Sequence, residues 1–314
     1  MSTQPLAPQT QPLAQPPAQP INFSAPVVSV PSISSSAMLV ELSISTWTGK
    51  KTDRKVSNEV TLTKNAASGV VNVSKKLLGD CAELDAVQKF VGNVRNVHYA
   101  MTQPWSDTGL RLLSTAMFHK RYQKELTTHQ AEFHVLVDKF LNAYDWEITQ
   151  AQAKLGDMFS VSDYPTKDEL RGKFKFQLVQ MPLPDAGDFR LDVNNEAQDI
   201  LRKQYAEHYE RMLQTAMKDI WDKAYDALNK MSERLDYKDN DTRKIFRDSL
   251  VDNVLEVVEL LNLCNVTQNP QMSAMRERLE NTLLGVTPDA LREDEYLRKE
   301  TKNKVDEILK NMSW

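Results

Sequence analysis

Residues 201–235 read LRKQYAEHYERMLQTAMKDIWDKAYDALNKMSERL, a run without a single Pro or Gly. Leu201, Tyr205, Tyr209, Met212, Ala216, Ile220, Tyr225, Leu228, Met231 and Leu235 recur at helical spacing, so one stripe of the segment seeks burial. Opposite it, Glu207 precedes Arg211, Asp219 precedes Lys223 and Asp226 precedes Lys230, each acid one helical turn before its base, as on a solvated helix face. Asn194 or Asn195 can cap the start. A second stripe of Phe118, Tyr122, Leu126, Phe133, Leu136, Phe140, Tyr144 and Ile148 runs from a capping Ser114 to Leu155. At a rise of ~1.5 Å per residue each segment is about 60 Å long, more than the ~50 Å breadth of a compact globule of this size. The spacing predicts two long antiparallel helices that bury their stripes against each other.

Shorter elements surround this pair. From Leu39 to Trp47, Val40, Leu42, Ile44 and Thr46 alternate with Glu41, Ser43, Ser45 and Trp47, which predicts a half-buried strand. A second short strand is expected near Val71 and Val73. Leu84, Val87, Val91, Val94 and Val97 form a helical stripe between Glu83 and Pro104. Phe174, Phe176 and Leu178 alternate with Lys173, Lys175 and Gln177, Asp185-Ala186-Gly187 can turn, and Phe189, Leu191 and Val193 return, so a β-hairpin is expected over about 172–193. Three helices close the chain: an almost wholly apolar one at about 242–263, then one opened by Asn269-Pro270 and one by Thr287-Pro288. The fold class is mainly α with a small antiparallel β-sheet (α+β), two long antiparallel helices and a cap of shorter ones. Residues 37–314 are expected to form a single elongated domain. Residues 1–36, which hold eight of the fourteen prolines, read as a disordered Pro/Gln-rich tail. Pro5 to Pro8 and Pro17 to Pro20 match a polyproline-ligand spacing, but no Arg or Lys flanks either.

A formal net charge of -4 over 314 residues implies no partner through the overall field. Cys81 and Cys264 form no ligand-spaced pair and suit a reducing compartment. The first forty residues lack any charge, hence the basic start of a signal peptide, and no later stretch reaches the ~20 apolar residues of a membrane crossing. A cytoplasmic location is expected.

Catalytic signatures fall away on inspection. In Ser43–Asp53, SISTWTGKKTD, the Gly-Lys-Lys-Thr lacks the glycine that a phosphate-binding loop needs four residues earlier, because Ile44 stands there inside a strand. A turn with Trp47 as packing anchor is the better reading. None of His98, His119, His129, His134 and His208 has a carboxylate three residues before it, and His134 with Asp138 alone is no metal site, so no cofactor and no metal are expected. In RGKFKF, Arg171–Phe176, the aromatics fall on the wrong parity for an RNA-binding strand. Lys50, Lys51, Arg54 and Lys55, with Lys75 and Lys76, form a basic strip that can contact nucleic acid or be simply solvated.

The loop Thr102–Leu113, TQPWSDTGLRLL, is the best candidate for binding a protein partner. Pro104 ends a helix, Asp107 can bond the backbone near Gly109, Arg111 can reach Asp107, and Trp105 is either buried under the loop or presented outward. Together with the strand ending in Trp47-Thr48-Gly49-Lys50 and the Phe246–Asn262 helix, this loop resembles a family of phage and plasmid proteins catalogued as domain of unknown function 3150, over about residues 38–310. The resemblance implies a bacteriophage or mobile-element origin, no established catalytic residues, and gene neighbourhoods with MoxR-like AAA+ ATPases and von Willebrand A proteins. A non-enzymatic helical interaction, assembly or adaptor protein of the infected cytoplasm is therefore expected, with protein partners such as those ATPase or von Willebrand A proteins, and with homo-oligomerisation and virion association open. The alternative is a nucleic-acid-binding protein using the Lys50–Lys76 region.

Overall fold

The computed structural model describes residues 31–184, 196–236 and 248–312. A short helix α1 (Pro31–Ser36), inside the expected tail, is anchored by buried Ile33 and leads directly into strand β1 (Ala37–Ser45). After a turn come β2 (Lys50–Thr52), α2 (Arg54–Thr63) and β3 (Ser74–Lys76), with β2 and β3 paired antiparallel as a separate ribbon. Asp53 caps α2 by accepting from the Lys55 and Val56 amides. The second strand therefore lies a few residues beyond the Val71–Val73 alternation, and α2 has no counterpart in the sequence reading.

Helix α3 (Ala82–Met101) runs into a hairpin of β4 (Gln103–Pro104) and β5 (Arg111–Ser114). Ser114 caps the following long helix as expected, its hydroxyl accepting from the Met117 amide. That helix comprises α4 (Thr115–Met117), a π-helical turn (Phe118–Tyr122) and α5 (Gln123–Leu155). Next come α6 (Lys167–Arg171), opened by a reciprocal Thr166–Glu169 capping box, and β6 (Lys175–Pro182). β6 pairs antiparallel with β1, while the expected turn at 185–187 and the return strand at 189–193 lie outside the described residues. The remainder is α7 (Glu196–Leu235), α8 (Ser249–Cys264), α9 (Pro270–Leu283), α10 (Pro288–Glu293) and α11 (Glu295–Lys310). Asn269 and Thr287 cap α9 and α10, each with Pro in the first turn, and Asp294 splits the last expected helix in two by capping α11. The caps expected at Asn194 or Asn195 and the start of the helix expected from 242 fall outside the described residues.

The protein is thus mainly α with a four-stranded antiparallel sheet in the order β4-β5-β1-β6 and a two-stranded ribbon. Among the described residues no helix is long and apolar enough to cross a membrane. One continuous apolar core threads through both halves. An aromatic cluster forms its first half. The Trp47 ring lies 6.1 Å from Phe140 and 6.0 Å from Tyr144, Phe140 lies 5.6 Å from Phe174, and Phe133 lies 5.7 Å from Phe176, so β1, β6 and α5 close on one another through rings. Gly49 makes the turn after Trp47 possible: its φ is +66°, and a Cβ there would stand 2.9 Å from Leu84 Cδ2.

The two long helices do not bury their stripes chiefly against each other. Among the described residues α5 packs mainly against α3, and α7 against α8 and α11. Tyr122, Phe140, Tyr209 and Ile220 are buried as their spacing requires, yet the apolar partners come from shorter helices. Tyr225 is a second departure. The stripe of α7 runs through Ala216, Met217, Ile220, Trp221, Ala224 and Leu228, and Tyr225 sits off that line, 44% exposed.

Two truncations follow from this packing. Phe140→Ala removes the ring shared by Trp47, Tyr144 and Phe174 and should cost about 3–5 kcal/mol in equilibrium urea unfolding. Tyr225→Ala should stay within about 0.5 kcal/mol of the parent. Comparable losses in both variants would contradict the assigned faces.

Candidate functional site

A cleft of about 400 Å³ opens where β1 outruns its neighbour. β5 begins at Arg111, opposite Val40, whereas β1 continues to Ser45 with only β6 alongside, so Glu41, Leu42 and Ser43 edge a gap in the sheet. Arg95, His98 and Tyr99 of α3 form another wall, and Ser106 to Gly109 of the β4–β5 hairpin overhang it. The helix and the hairpin that follows it thereby converge with the distant strand β1 on one concavity.

The hairpin is held firmly at its base. Trp105 is buried with its ring edge-on to Tyr209 of α7, 5.3 Å between centroids. At the tip, the Ser106 carbonyl accepts from the Gly109 amide, Gly109 takes φ +96°, and the Ser106 and Thr108 hydroxyls share a 2.7 Å hydrogen bond. Ser106, rather than Asp107, closes this turn, and Asp107 is left exposed.

Arg111 does not turn to Asp107 either. Its Nε donates to Thr102 Oγ1 at 2.6 Å and its Nη2 to the Thr102 carbonyl at 2.7 Å, while the guanidinium carbon sits 4.9 Å from the centre of the Tyr99 ring. Burial pushes the Arg111 pKa below the usual arginine range, with Asp219 opposing that push, yet arginine stays charged at any ordinary pH. A half-buried cation therefore lines the cleft. Among the described residues neither Arg111 nor Arg95 forms an ion pair with a carboxylate; Arg95 instead donates from Nη2 to the Ile44 carbonyl at 2.8 Å.

His98, 2% exposed, is paired through Nδ1 with the Tyr122 hydroxyl at 2.8 Å. Burial, helped by the charge of Arg111, lowers the His98 pKa to about 4, and burial pushes that of Tyr122 upward, so the pair is neutral around pH 7. Thr102 Oγ1 donates to the His98 carbonyl at 2.6 Å. With its imidazole nitrogen engaged by a phenol, the cleft is equipped for charge recognition.

The sequence-predicted site residues thus separate. Asp107 and Arg111 share the cleft, whereas Trp105 lies beneath the loop as an anchor and is not presented to a partner. Arg95, His98, Tyr99, Glu41 and Ser43 escaped the sequence reading. His98 alone carried a signal, as a polar residue in line with Val91 and Val94 on the apolar stripe of α3.

The basic strip is partly consumed by structure. Lys75 Nζ lies 3.2 Å from Asp53 and 2.8 Å from Asp163, and Lys51 lies 2.7 Å from Asp163, a cluster that fastens the β2–β3 ribbon to the loop after α5. Hydrogen bonds from the Val56 amide and Lys75 lower the Asp53 pKa, and those from Lys51 and Lys75 lower that of Asp163 against its desolvation. Lys50, Arg54 and Lys55 remain exposed. The strand aromatics Phe174 and Phe176 point into the core, and Asp138 is held by Arg171 at 2.8 Å.

The two thiols are free and buried. Burial pushes the Cys264 pKa to about 11, and burial with the Glu147 and Glu83 charges raises that of Cys81. Cys81, Glu83 and Glu147 place possible ligand atoms within 4.8 Å of one another, but at the start of α3, where the helix dipole disfavours a cation. The chain matches no family model, no curated protein and no solved structure.

The His98–Tyr122 pair predicts a specific acid sensitivity. Because the folded pKa lies near 4 and the unfolded one near 6.5, only the unfolded chain takes up this proton as pH falls from about 6.5 to 4, so stability drops across that window by roughly 2–3 kcal/mol. Urea midpoints measured against pH should fall more steeply in the parent than in His98→Gln. Parallel curves would contradict a neutral buried His98.

Proposed function

We propose that the protein acts by binding another protein, with the Ser106–Gly109 tip and the cleft beneath it as the contact surface. The observation that carries this reading is the hairpin itself: a polar, exposed tip held on a base fixed by Trp105, Arg111 and the β4–β5 ladder. Such a tip loses little conformational freedom on binding, which favours affinity. The long helices supply reach, and Tyr296, Leu284 and Leu62 add isolated exposed apolar groups without forming a catalytic constellation. The likeness to phage and plasmid proteins extends the proposal to an adaptor or assembly factor acting in the cytoplasm of an infected cell, with a MoxR-like AAA+ ATPase or von Willebrand A protein as the first partner to test.

A photo-crosslinking residue at Thr108 should label one specific partner in cells expressing the protein from its natural context, and the same residue at Lys64 on the far side of α2 should not. Asp107→Arg should reduce the Thr108 adduct at least about tenfold, the scale of losing one well-placed polar contact. Equal labelling at both positions, or labelling indifferent to Asp107, would contradict the assigned surface.

A further inference from the structure

The guanidinium of Arg111 has two edges capable of paired donation. The Nε–Nη2 edge is spent on Thr102, through Oγ1 and the carbonyl, leaving the Nη1–Nη2 end without an acceptor among the described residues. The plane is braced by the Tyr99 ring, so this end has a fixed direction. Arg95 lines the same cleft and also lacks a carboxylate partner among the described residues. Elsewhere the protein treats a buried cation differently: Lys75 is met by Asp53 and Asp163. Asp219 acts on Arg111 only from beyond ion-pair distance, so half-burying this guanidinium without a contacting carboxylate carries a desolvation cost that a bound anion would offset.

We infer that the cleft binds a carboxylate, held on the free edge of Arg111 and supported by Arg95. The fork geometry matches a planar two-oxygen group. Glu41 and Asp107 line the same cleft, so its four formal charges already balance: the attraction for an anion is local to the Arg111 fork, and a second negative charge on the ligand would be opposed. That favours a singly charged carboxylate over a phosphate dianion. The cleft volume of about 400 Å³ lies at the small end of the range for ligand sites, enough for a terminal residue or one acidic side chain. The inference rests on reading this cleft as a protein-contact surface, and it names the group the partner contributes: a C-terminal carboxylate or that of an Asp or Glu side chain.

The test is an NMR titration of the full chain, following the Arg111 Nε–H resonance and the Gly109 amide. The probes are N-acetyl-glycylglycine, its C-terminal amide, N-acetyl-aspartic acid amide and inorganic phosphate. Both carboxylate probes should produce saturable shifts with a Kd on the order of 1–10 mM, and the neutral amide none. The tighter of the two carboxylates assigns the source. Arg111→Lys keeps the charge and loses the fork, and should weaken binding about tenfold. Arg95→Gln, which also loses the bond to the Ile44 carbonyl, should weaken it about threefold in a chain that stays folded by circular dichroism. Tighter binding of phosphate than of either carboxylate, no saturable shift, or full affinity in a folded Arg111→Lys variant would overturn the inference. Crosslinking at Thr108 that persists undiminished in Arg111→Lys would reject the carboxylate while leaving the protein-contact reading in place.

Discussion

Thr102 is the point on which the arrangement turns. It is fully buried at the end of α3, and its hydroxyl donates back to the His98 carbonyl while accepting from Arg111 Nε. Its carbonyl accepts from Arg111 Nη2 and from Lys223 Nζ of α7 at 3.2 Å. Lys223 also reaches the Tyr99 carbonyl at 2.9 Å and pairs with Asp219. The orphan carbonyls at a helix end must be satisfied, and here cations from the sheet and from a distant helix satisfy them. One requirement of backbone chemistry therefore joins α3, the β4–β5 hairpin and α7, and sets Arg111 beside the cleft. Residues buried around it, from Val94 and Met101 to Leu112, keep water from competing for those bonds.

Much of this architecture could be read from the chain because helices and strands announce themselves locally. The stripes from Phe118 to Ile148 and from Tyr209 to Leu235, the caps at Ser114, Asn269 and Thr287, and the inward parity of Phe174 and Phe176 all follow from period, cap chemistry and pleat. What meets what does not follow. A stripe specifies that it will be covered, and the same apolar face accepts a long helix or a short one, so α5 against α3 and α7 against α8 and α11 could not be distinguished from a pairing of the two rods. Helix α2 was hidden because its residues, RKVSNEVTLT, are few in number, rich in β-branched side chains and mostly polar, with Ser57 alone buried, and it owes its start to the cap at Asp53.

The site shows the same division. Gly109, Pro104 and Trp105 mark a turn and its anchor in sequence, and the loop is where they place it. The direction of Arg111 was not legible, since Asp107 stands one turn away in sequence and Thr102 nine residues away, and the choice is settled by the orphan carbonyl at the end of α3. Arg95 and His98 join the cleft only through tertiary packing. The contrast between Lys75 and Arg111 was equally invisible: the sequence around neither residue shows its counter-ion, but folding brings two carboxylates onto one and none within ion-pair distance of the other among the described residues.

Everything at the cleft depends on Arg111 being locked onto Thr102 and against the Tyr99 ring. The most direct measurement is the side-chain NMR of arginine in the free protein at neutral pH, assigned by comparison with Arg111→Lys. A locked guanidinium gives a slowly exchanging Nε–H shifted away from the random-coil position and separate Nη signals from hindered rotation. An Arg111 Nε–H that exchanges and resonates like that of a free, solvated arginine would contradict the account.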